Sequence, residues 1–285
     1  MNNPVYLFRK RTDCWFEMDI SVIICTWNNS RRLAITLEAL SHCTIPAAVS
    51  WELVLVNNNC SDDTDGVVAG FQDKVPLVYV KEPIQGVSRA RNAGLMAASG
   101  QLILFTDDDI TPCPEWISEY WRAYLKRPRG FFFGGPVESE FEGKKPDPDI
   151  LAVAPESVKG LYYSDQEKEC VNAYFIGAGW AAPAEAIKSV GGFDVKKGPN
   201  PSMGKVLLGD ETDVMQKLKD KGLRAWYLPG ARVTHFVPRD KCTLRHIGLR
   251  WQAYGHYLSE RYGKDIQAGV IRRIPLRMIK RVVKL

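Results

Sequence analysis

"ISVIICTWNNSRRLAITLEAL", residues 20–40, holds both periods of protein secondary structure in one short unit. Ile20–Cys25 is a short, nearly continuous apolar run rich in β-branched residues, which suits a strand buried on both faces. A polar break follows, and Leu33, Leu37 and Leu40 then recur at the spacing of one helix face. The unit repeats down the chain. "ELVLVN" (52–57) precedes "SDDTDGVVAGF" (61–71), where Ser61 or Asp62 would cap a helix; "LVYV" (77–80) precedes "GVSRARNAGLMAAS" (86–99), and "LILFT" (102–106) closes the series. Strands alternating with helices predict an α/β fold: a mostly parallel sheet, joined by right-handed crossovers, with helices on both faces. Ligands of such open sheets bind beyond the carboxyl ends of the strands, so the loops after residues 25, 57, 80 and 106 should share one rim.

The second half reads differently. "FFFGGPVES" (131–139) predicts a strand, 141–170 a loop-rich insertion, and "AYFIGAGWAA" (173–182) a strand-like run before a short helix. Residues 198–209 are rich in turn formers. "DETDVMQKLKDKG" (210–222) predicts a helix with acids in its first turn, lysines in its last and Gly222 as C-cap, as the helix dipole favours. Two short strands, "RAWYLP" and "ARVTHF", and a helix over 243–262 complete the reading.

Composition sets bounds. The net charge of +5 over 285 residues is too mild to argue for nucleic acid as a partner. Seven cysteines, odd in number and without a C-x-x-C pair, suggest reduced thiols and a cytoplasmic setting. No secretory h-region and no long apolar span is visible, so the chain is expected to be soluble or to rest peripherally on a membrane.

The chemistry gathers on the predicted rim. "LILFTDDDI" (102–110) ends a strand on three consecutive aspartates, whose mutual repulsion a divalent cation would offset. The plain alternative is a solvated turn before the helix that starts near Pro114. Alternation along an extended chain would send Asp107 and Asp109 to one side and Asp108 to the other. "CTWNNS" and "NNNCSDDT" are polar loops suited to a base and ribose, and Arg89 and Arg91 near a helix start suit an anionic ligand. "GAGWAA" (177–182) formally fits a dinucleotide pattern but lies mid-chain with Pro183 next, so it reads instead as a close-packed wall.

Taken in order, "SVIICTWNN", "LVLVNNNCSDDT", "GVSRARNAGL", "LILFTDDDITPCPEWI", "GAGWAAPAEAIKSVGGFD", "GDETDVMQKLKDKG" and "ARVTH" make the chain resemble the family-two glycosyltransferases, which have the GT-A nucleotide-sugar fold. The resemblance spans residues 19–240, divided into a nucleotide-binding half (19–135) and an acceptor and catalytic half with a smaller mixed region (136–240). Residues 1–18 form an N-terminal extension and 241–285 the C-terminal helices. The resemblance implies an inverting transferase that moves a sugar from a nucleotide diphospho-sugar, UDP-linked first, to an acceptor hydroxyl of a sugar, glycan or lipid-linked glycan. Cell-surface polysaccharide, lipopolysaccharide or glycolipid synthesis would be its setting.

By the same resemblance Thr26 and Asn28 line the nucleotide, Asn57 faces the base and Arg91 lies near the base or phosphates. Asp107 approaches the ribose. Asp108 belongs to the same donor-side loop but, turned away, should tolerate change best. Asp109 holds Mg²⁺ or Mn²⁺, and His235 is a second candidate ligand. Glu211 is placed as general base with Asp210 the close second, and Gly179 and Trp180 border the acceptor, with Trp180 equally suited to the core. Asn57 stands where the family usually has Asp. Two rival readings are a nucleotidyltransferase, which should carry a glycine-rich basic loop that "CTWNNSRR" lacks, and a non-catalytic nucleotide- or sugar-binding protein, which would need no base. The tail 274–285 places Arg277, Lys280, Arg281 and Lys284 on one helical face, suited equally to an anionic membrane surface and to a helix docked on its own domain.

Overall fold

The computed structural model describes residues 5–6, 18–203 and 207–262; the basic tail 274–285 lies outside them. The first half follows the predicted alternation closely. After the short strand β1 (Val5–Tyr6) come β2 (Met18–Thr26), α1 (Ser30–Ser41), β3 (Trp51–Asn57), α2 (Thr64–Ala69), β4 (Leu77–Lys81), α3 (Val87–Ala97) and β5 (Gly100–Thr106). Strands β2, β3, β4 and β5 lie parallel in the order β4-β3-β2-β5. Consecutive residues of β2, β3 and β5 are buried, so both faces of this sheet are covered, as their unbroken apolar runs require. Helix α3 reaches the sheet through small residues: a Cβ on Gly94 would lie 2.6 Å from the Ile23 side chain.

The second half adds β6 (Ile110–Pro112), α4 (Trp116–Lys126), β7 (Phe131–Gly134), β8 (Val137–Phe141), α5 (Pro148–Val153), α6 (Glu156–Lys159), β9 (Lys168–Glu169), β10 (Trp180–Pro183) and α7 (Ala184–Ser189). It ends with α8 (Asp210–Asp220), β11 (Arg224–Tyr227), β12 (Val233–Val237) and α9 (Leu244–Tyr262). β10 joins β5 antiparallel and carries the main sheet on through β7, β11 and β9, to nine strands in all; β6, β12 and β8 form a separate three-stranded sheet.

Two expectations are corrected. The run 131–139 is not one strand: Gly135 and Pro136 divide it, β7 entering the large sheet and β8 the small one. A Cβ on Gly135 would lie 2.0 Å from the Ala231 carbonyl oxygen, so the backbones pass there at a distance only glycine allows. The run 173–182 is extended only from Trp180 onward, and residues 173–179 instead form an irregular segment over the sheet end. The described cysteines (25, 43, 60, 113, 170 and 242) are all free thiols, as their scatter suggested.

Candidate active site

The aspartates occupy the turn between β5 and β6, with Asp107 and Asp109 to one side and Asp108 to the other. Asp108 folds back toward the first loop. Thr26 Oγ1 donates to its Oδ2 at 2.6 Å and Asn29 Nδ2 to its Oδ1 at 2.8 Å. Burial and the neighbouring Asp109 push the Asp108 carboxyl up to about 7, against the pull of these bonds. Thr26 and Asp108 are therefore engaged with one another, and Asp108 is not the tolerant member of the three. Asp108→Ala strands the Thr26 hydroxyl and the Asn29 amide. It should lower unfolding free energy by about 1–3 kcal/mol, read by chemical denaturation; a change below about 0.5 kcal/mol would contradict this bracing role.

Asp109 and Asp107 meet His235. β12 pairs antiparallel with β6, setting His235 opposite Ile110, while the Phe236 amide donates to the Asp109 carbonyl at 2.9 Å. One ligand atom from each of Asp107, Asp109 and His235 lies within 4.8 Å of the others. His235 Nε2 stands 3.3 Å from Asp109 Oδ1, yet that oxygen and His235 Nδ1 are both buried without a formed hydrogen bond among the described residues. Burial pulls the imidazole pKa down, but the three aspartates outweigh it and raise it. Two carboxylates and an imidazole with unmet capacity fit a divalent cation of the Mg²⁺ or Mn²⁺ class, and the nitrogen suits Mn²⁺ better. Asp107, expected at a ribose, thus joins the metal-type cluster.

The third group centres on Arg91, which α3 delivers into the site with 7% of its side chain exposed. Its guanidinium pairs with Asp210 and stands 3.6 Å from Glu211 Oε2 and 3.5 Å from Asp107 Oδ1. Gly209 enters α8 with φ +89°, a left-handed turn that puts Asp210 and Glu211 on the first helical positions. The two acids then differ. The Asp210 side chain is 1% exposed and that of Glu211 23%. Burial, with the charge of Glu211, pushes the Asp210 carboxyl well above the usual range despite Arg91. Burial acts on Glu211 in the same direction, but Arg91 and a hydrogen bond from Asp210 hold it at about 2. Of the two, Glu211 is the more exposed and the more readily ionised.

Gly177 floors this arrangement, since a Cβ there would lie 2.6 Å from Arg91 Nη2, 3.0 Å from Glu211 Oε1 and 3.4 Å from Asp107 Oδ1. The Thr106 hydroxyl holds the segment in place by donating to the Ala178 carbonyl at 2.7 Å. Gly177→Ala should displace Arg91 and cut any turnover by about tenfold or more, because misplacement on the order of 1 Å is costly in a preorganised site. Steady-state rates beside an unchanged thermal transition would check it, and a wild-type rate would contradict it.

The remaining expected residues sit elsewhere. Gly179 faces Val233, Tyr120 and Trp116 across ordinary contact distances, and Trp180 is wholly buried and stacked on Phe105 with centroids 4.7 Å apart. Both belong to the core behind the site, with no side-chain surface on it, whereas Gly177 adjoins Arg91, Glu211 and Asp107. The Asn57 amide is fully used, donating to Tyr79 OH at 2.8 Å and Asp65 Oδ1 at 3.2 Å and accepting from the Cys60 amide at 2.8 Å. It braces the second loop and does not face a base. Asn28, at φ +49°, accepts from the Ser61 amide at 2.7 Å and joins the first loop to the second. Trp27 beside it is exposed on the rim, an aromatic surface that the sequence reading passed over.

The profile of Glycosyl transferase family 2 matches residues 21–191, more than half of the chain, including the four parallel strands and the aspartate turn. The chain belongs to glycosyl transferase family 2. This family-2 member is 25% identical over 247 residues to a glucosyl-dolichyl phosphate glucuronosyltransferase of Haloferax volcanii, covering 83% of this chain and 76% of that one. It is 28% identical over 103 residues to a chondroitin synthase of Escherichia coli, 35% of this chain and 15% of that protein. S. aureus TarS 1–349 in complex with UDP-GlcNAc shares its fold with a TM-score of 0.59 at 16% identity, over 78% of this chain and 59% of that one. The mannosyltransferase PcManGT from Pyrobaculum calidifontis, in complex with GDP-Man and Mn²⁺, does so with 0.55 at 22%, over 81% and 61%. The GT-A arrangement expected from the sequence is thereby met. Asp210, Glu211 and His235 lie beyond the matched range, so geometry alone argues for their parts.

Proposed function

We propose that this glycosyltransferase moves a sugar from a nucleotide diphospho-sugar to an acceptor hydroxyl with inversion, Glu211 acting as general base. One observation carries the reading. The partly exposed carboxylate of Glu211 lies beside Gly177, which also adjoins Asp107 of the Asp107–Asp109–His235 cluster. Inversion asks for that separation of tasks: a base on one face of the sugar and a charge-stabilising group at the leaving diphosphate on the other.

Asp107, Asp109 and His235 are the residues that would hold Mg²⁺ or Mn²⁺. A bound cation supplies electrostatic stabilisation of the diphosphate as it departs. Glu211 accepts the proton of the acceptor hydroxyl. Held at about 2, it is always ionised and a weak base, so the proton moves as the new C–O bond forms and the hydroxyl becomes acidic. Arg91 keeps Glu211 charged and oriented, and Asp210, too buried to touch substrate, positions Arg91. The complexes of similar fold hold UDP-GlcNAc and GDP-Man, so both uridine and guanosine donors are candidates, UDP-sugars first. A lipid-linked sugar or a glycan is the acceptor class that the names of the glucuronosyltransferase and the chondroitin synthase suggest. Among the described residues no helix is long and apolar enough to cross a membrane, which suits a cytoplasmic or peripheral enzyme at the inner membrane face.

Incubation with a panel of UDP- and GDP-sugars, Mn²⁺ and glycan or lipid-linked acceptors tests this. Nucleoside diphosphate should be released and the product linkage should show inverted anomeric configuration by NMR. Pyrophosphate release would favour a nucleotidyltransferase, retained configuration would exclude Glu211 as inverting base, and binding without turnover would favour a binding protein.

A further inference from the structure

Helix α9 packs on the protein with one face and turns a mixed apolar and basic face outward. Ile247, Ala253 and Tyr257 form its buried stripe. Ile247 joins Ala154, Val158 and Val237 in a small second core, and the Tyr257 ring closes on Gly209, where a Cβ would lie 2.5 Å from it. The helix is thereby fixed to the 141–160 insertion and to the helix end that bears Asp210 and Glu211. The opposite face of such a helix is ordinarily polar. Here Leu244, Leu249 and Trp251 stand 38%, 42% and 43% exposed on it. Leu244 and Trp251 lie two turns apart on one line of the helix, with Arg245 and Leu249 one turn apart beside them. Trp251 is held there, its Nε1 donating to the Val153 carbonyl at 2.8 Å.

Positive charge accompanies these side chains. Arg245 is exposed among them, and Arg239 and Lys241 are exposed on the turn that leads into the helix. Among the described residues Arg239 and Arg245 have no ion pair, and Lys241 meets Asp240 at 3.9 Å. The sequence concentrates charge in the same region. Residues 239–285 hold 12 of the 38 lysines and arginines but 3 of the 33 aspartates and glutamates, a net +9, so residues 1–238 carry a net −4 although the whole chain is +5. This asymmetry decides between occupants of the outward face. Residues 263–285 contain seven lysines and arginines and one aspartate, so like charge opposes their lying on Arg239 and Arg245. The same repulsion opposes a second copy meeting it face to face. An anionic bilayer accommodates every part: Leu and Trp side chains enter the interfacial layer, the cations meet headgroup phosphates, and the basic residues 263–285 are drawn the same way.

We infer that the outward face of α9, with Leu244, Arg245, Leu249 and Trp251 at its centre, docks this protein on an anionic lipid bilayer. The inference goes beyond the transferase reading and does not depend on it. Under that reading, the contact of Tyr257 with Gly209 ties the docking helix to the helix end that carries the base, which suits an acceptor presented from the bilayer.

The test is co-sedimentation of the full chain with vesicles of phosphatidylcholine alone and of phosphatidylcholine mixed with phosphatidylglycerol. The wild type should partition onto the mixed, anionic vesicles roughly tenfold or more strongly than onto the neutral ones. The triple substitution Leu244→Ser, Arg245→Ser and Leu249→Ser lies outside the candidate active site. It should weaken partitioning onto anionic vesicles by roughly tenfold or more, with an unchanged thermal transition. Arg245→Glu alone, a single change at an exposed position, should weaken it by roughly fivefold or more and keeps the test decisive if the triple variant fails to fold. Absence of binding by the wild type, or equal binding to neutral vesicles, overturns the inference. So does undiminished binding by the α9 variants, which would assign docking to residues 263–285 alone. A wild-type dimer that the α9 variants dissociate would make this face an interface between copies and overturn it as well. Vesicle binding needs neither donor nor acceptor, so its failure is distinct from a failure of the transferase reading, which nucleotide-sugar turnover tests.

Discussion

Glu211→Gln is expected to lower kcat by about 10³-fold, within the range that loss of a general base commonly produces, while nucleotide affinity stays near wild type. The amide matches the carboxylate in shape, so Arg91 and Gly177 keep their places, but it cannot accept a proton from the acceptor. Its side chain is 23% exposed where Asp210 is 1% exposed, which is why the larger loss belongs to Glu211. Asp210→Asn should act differently. It keeps an acceptor for Arg91 and a donor for Glu211 but removes the charge paired with Arg91, so its cost to turnover should be smaller and accompanied by a shift in stability. Single-turnover rates with each variant separate the two; equal losses from both, or an unaffected Glu211→Gln, would remove Glu211 from the mechanism.

Arg91→Met should be the most damaging change to the fold and the site together. It takes the one cation from among Asp107, Asp210 and Glu211. Breaking a buried pair by removing one partner costs about 3–5 kcal/mol. The pH dependence should change as well. With Arg91 present Glu211 is held at about 2, so the base is ionised across any working pH. Without it, the largest charge opposing burial is gone, the Glu211 pKa rises, and the carboxylate is lost as pH falls through the new value. Residual activity should therefore be lower at pH 6 than at pH 8. A variant as stable as wild type, with an unchanged pH profile, would contradict the assigned role of Arg91.

The parallel half of the fold was legible because each element carries a clean period. Leu33, Leu37 and Leu40 mark one helix face, and the unbroken apolar runs of β2, β3 and β5 mark strands covered on both sides. Tertiary choices were not legible. Nothing local in "FFFGGPVES" says that its two ends enter different sheets; the close pass of Gly135 against Ala231 decides that. The site divided in the same way. Asp109 and His235 were nominated by the family resemblance, and the structure brings them together. Alternation put Asp107 with Asp109 and Asp108 apart, as they lie, but it gave no sign that Asp108 is held by Thr26 and Asn29. Asn57 looked like a base contact because it ends a strand on the ligand rim, but its amide is used up by Tyr79, Asp65 and the Cys60 backbone.

Calorimetric titration of UDP and GDP into the wild-type chain and into Asp109→Asn, each with and without Mn²⁺, tests the central claim most directly. The account predicts that one nucleotide binds the wild type with affinity raised by Mn²⁺, and that Asp109→Asn abolishes the metal effect while a weak metal-independent affinity survives. Binding that is indifferent to Mn²⁺, or a metal effect that persists in Asp109→Asn, would show that the cluster of Asp107, Asp109 and His235 does not hold the donor's cation.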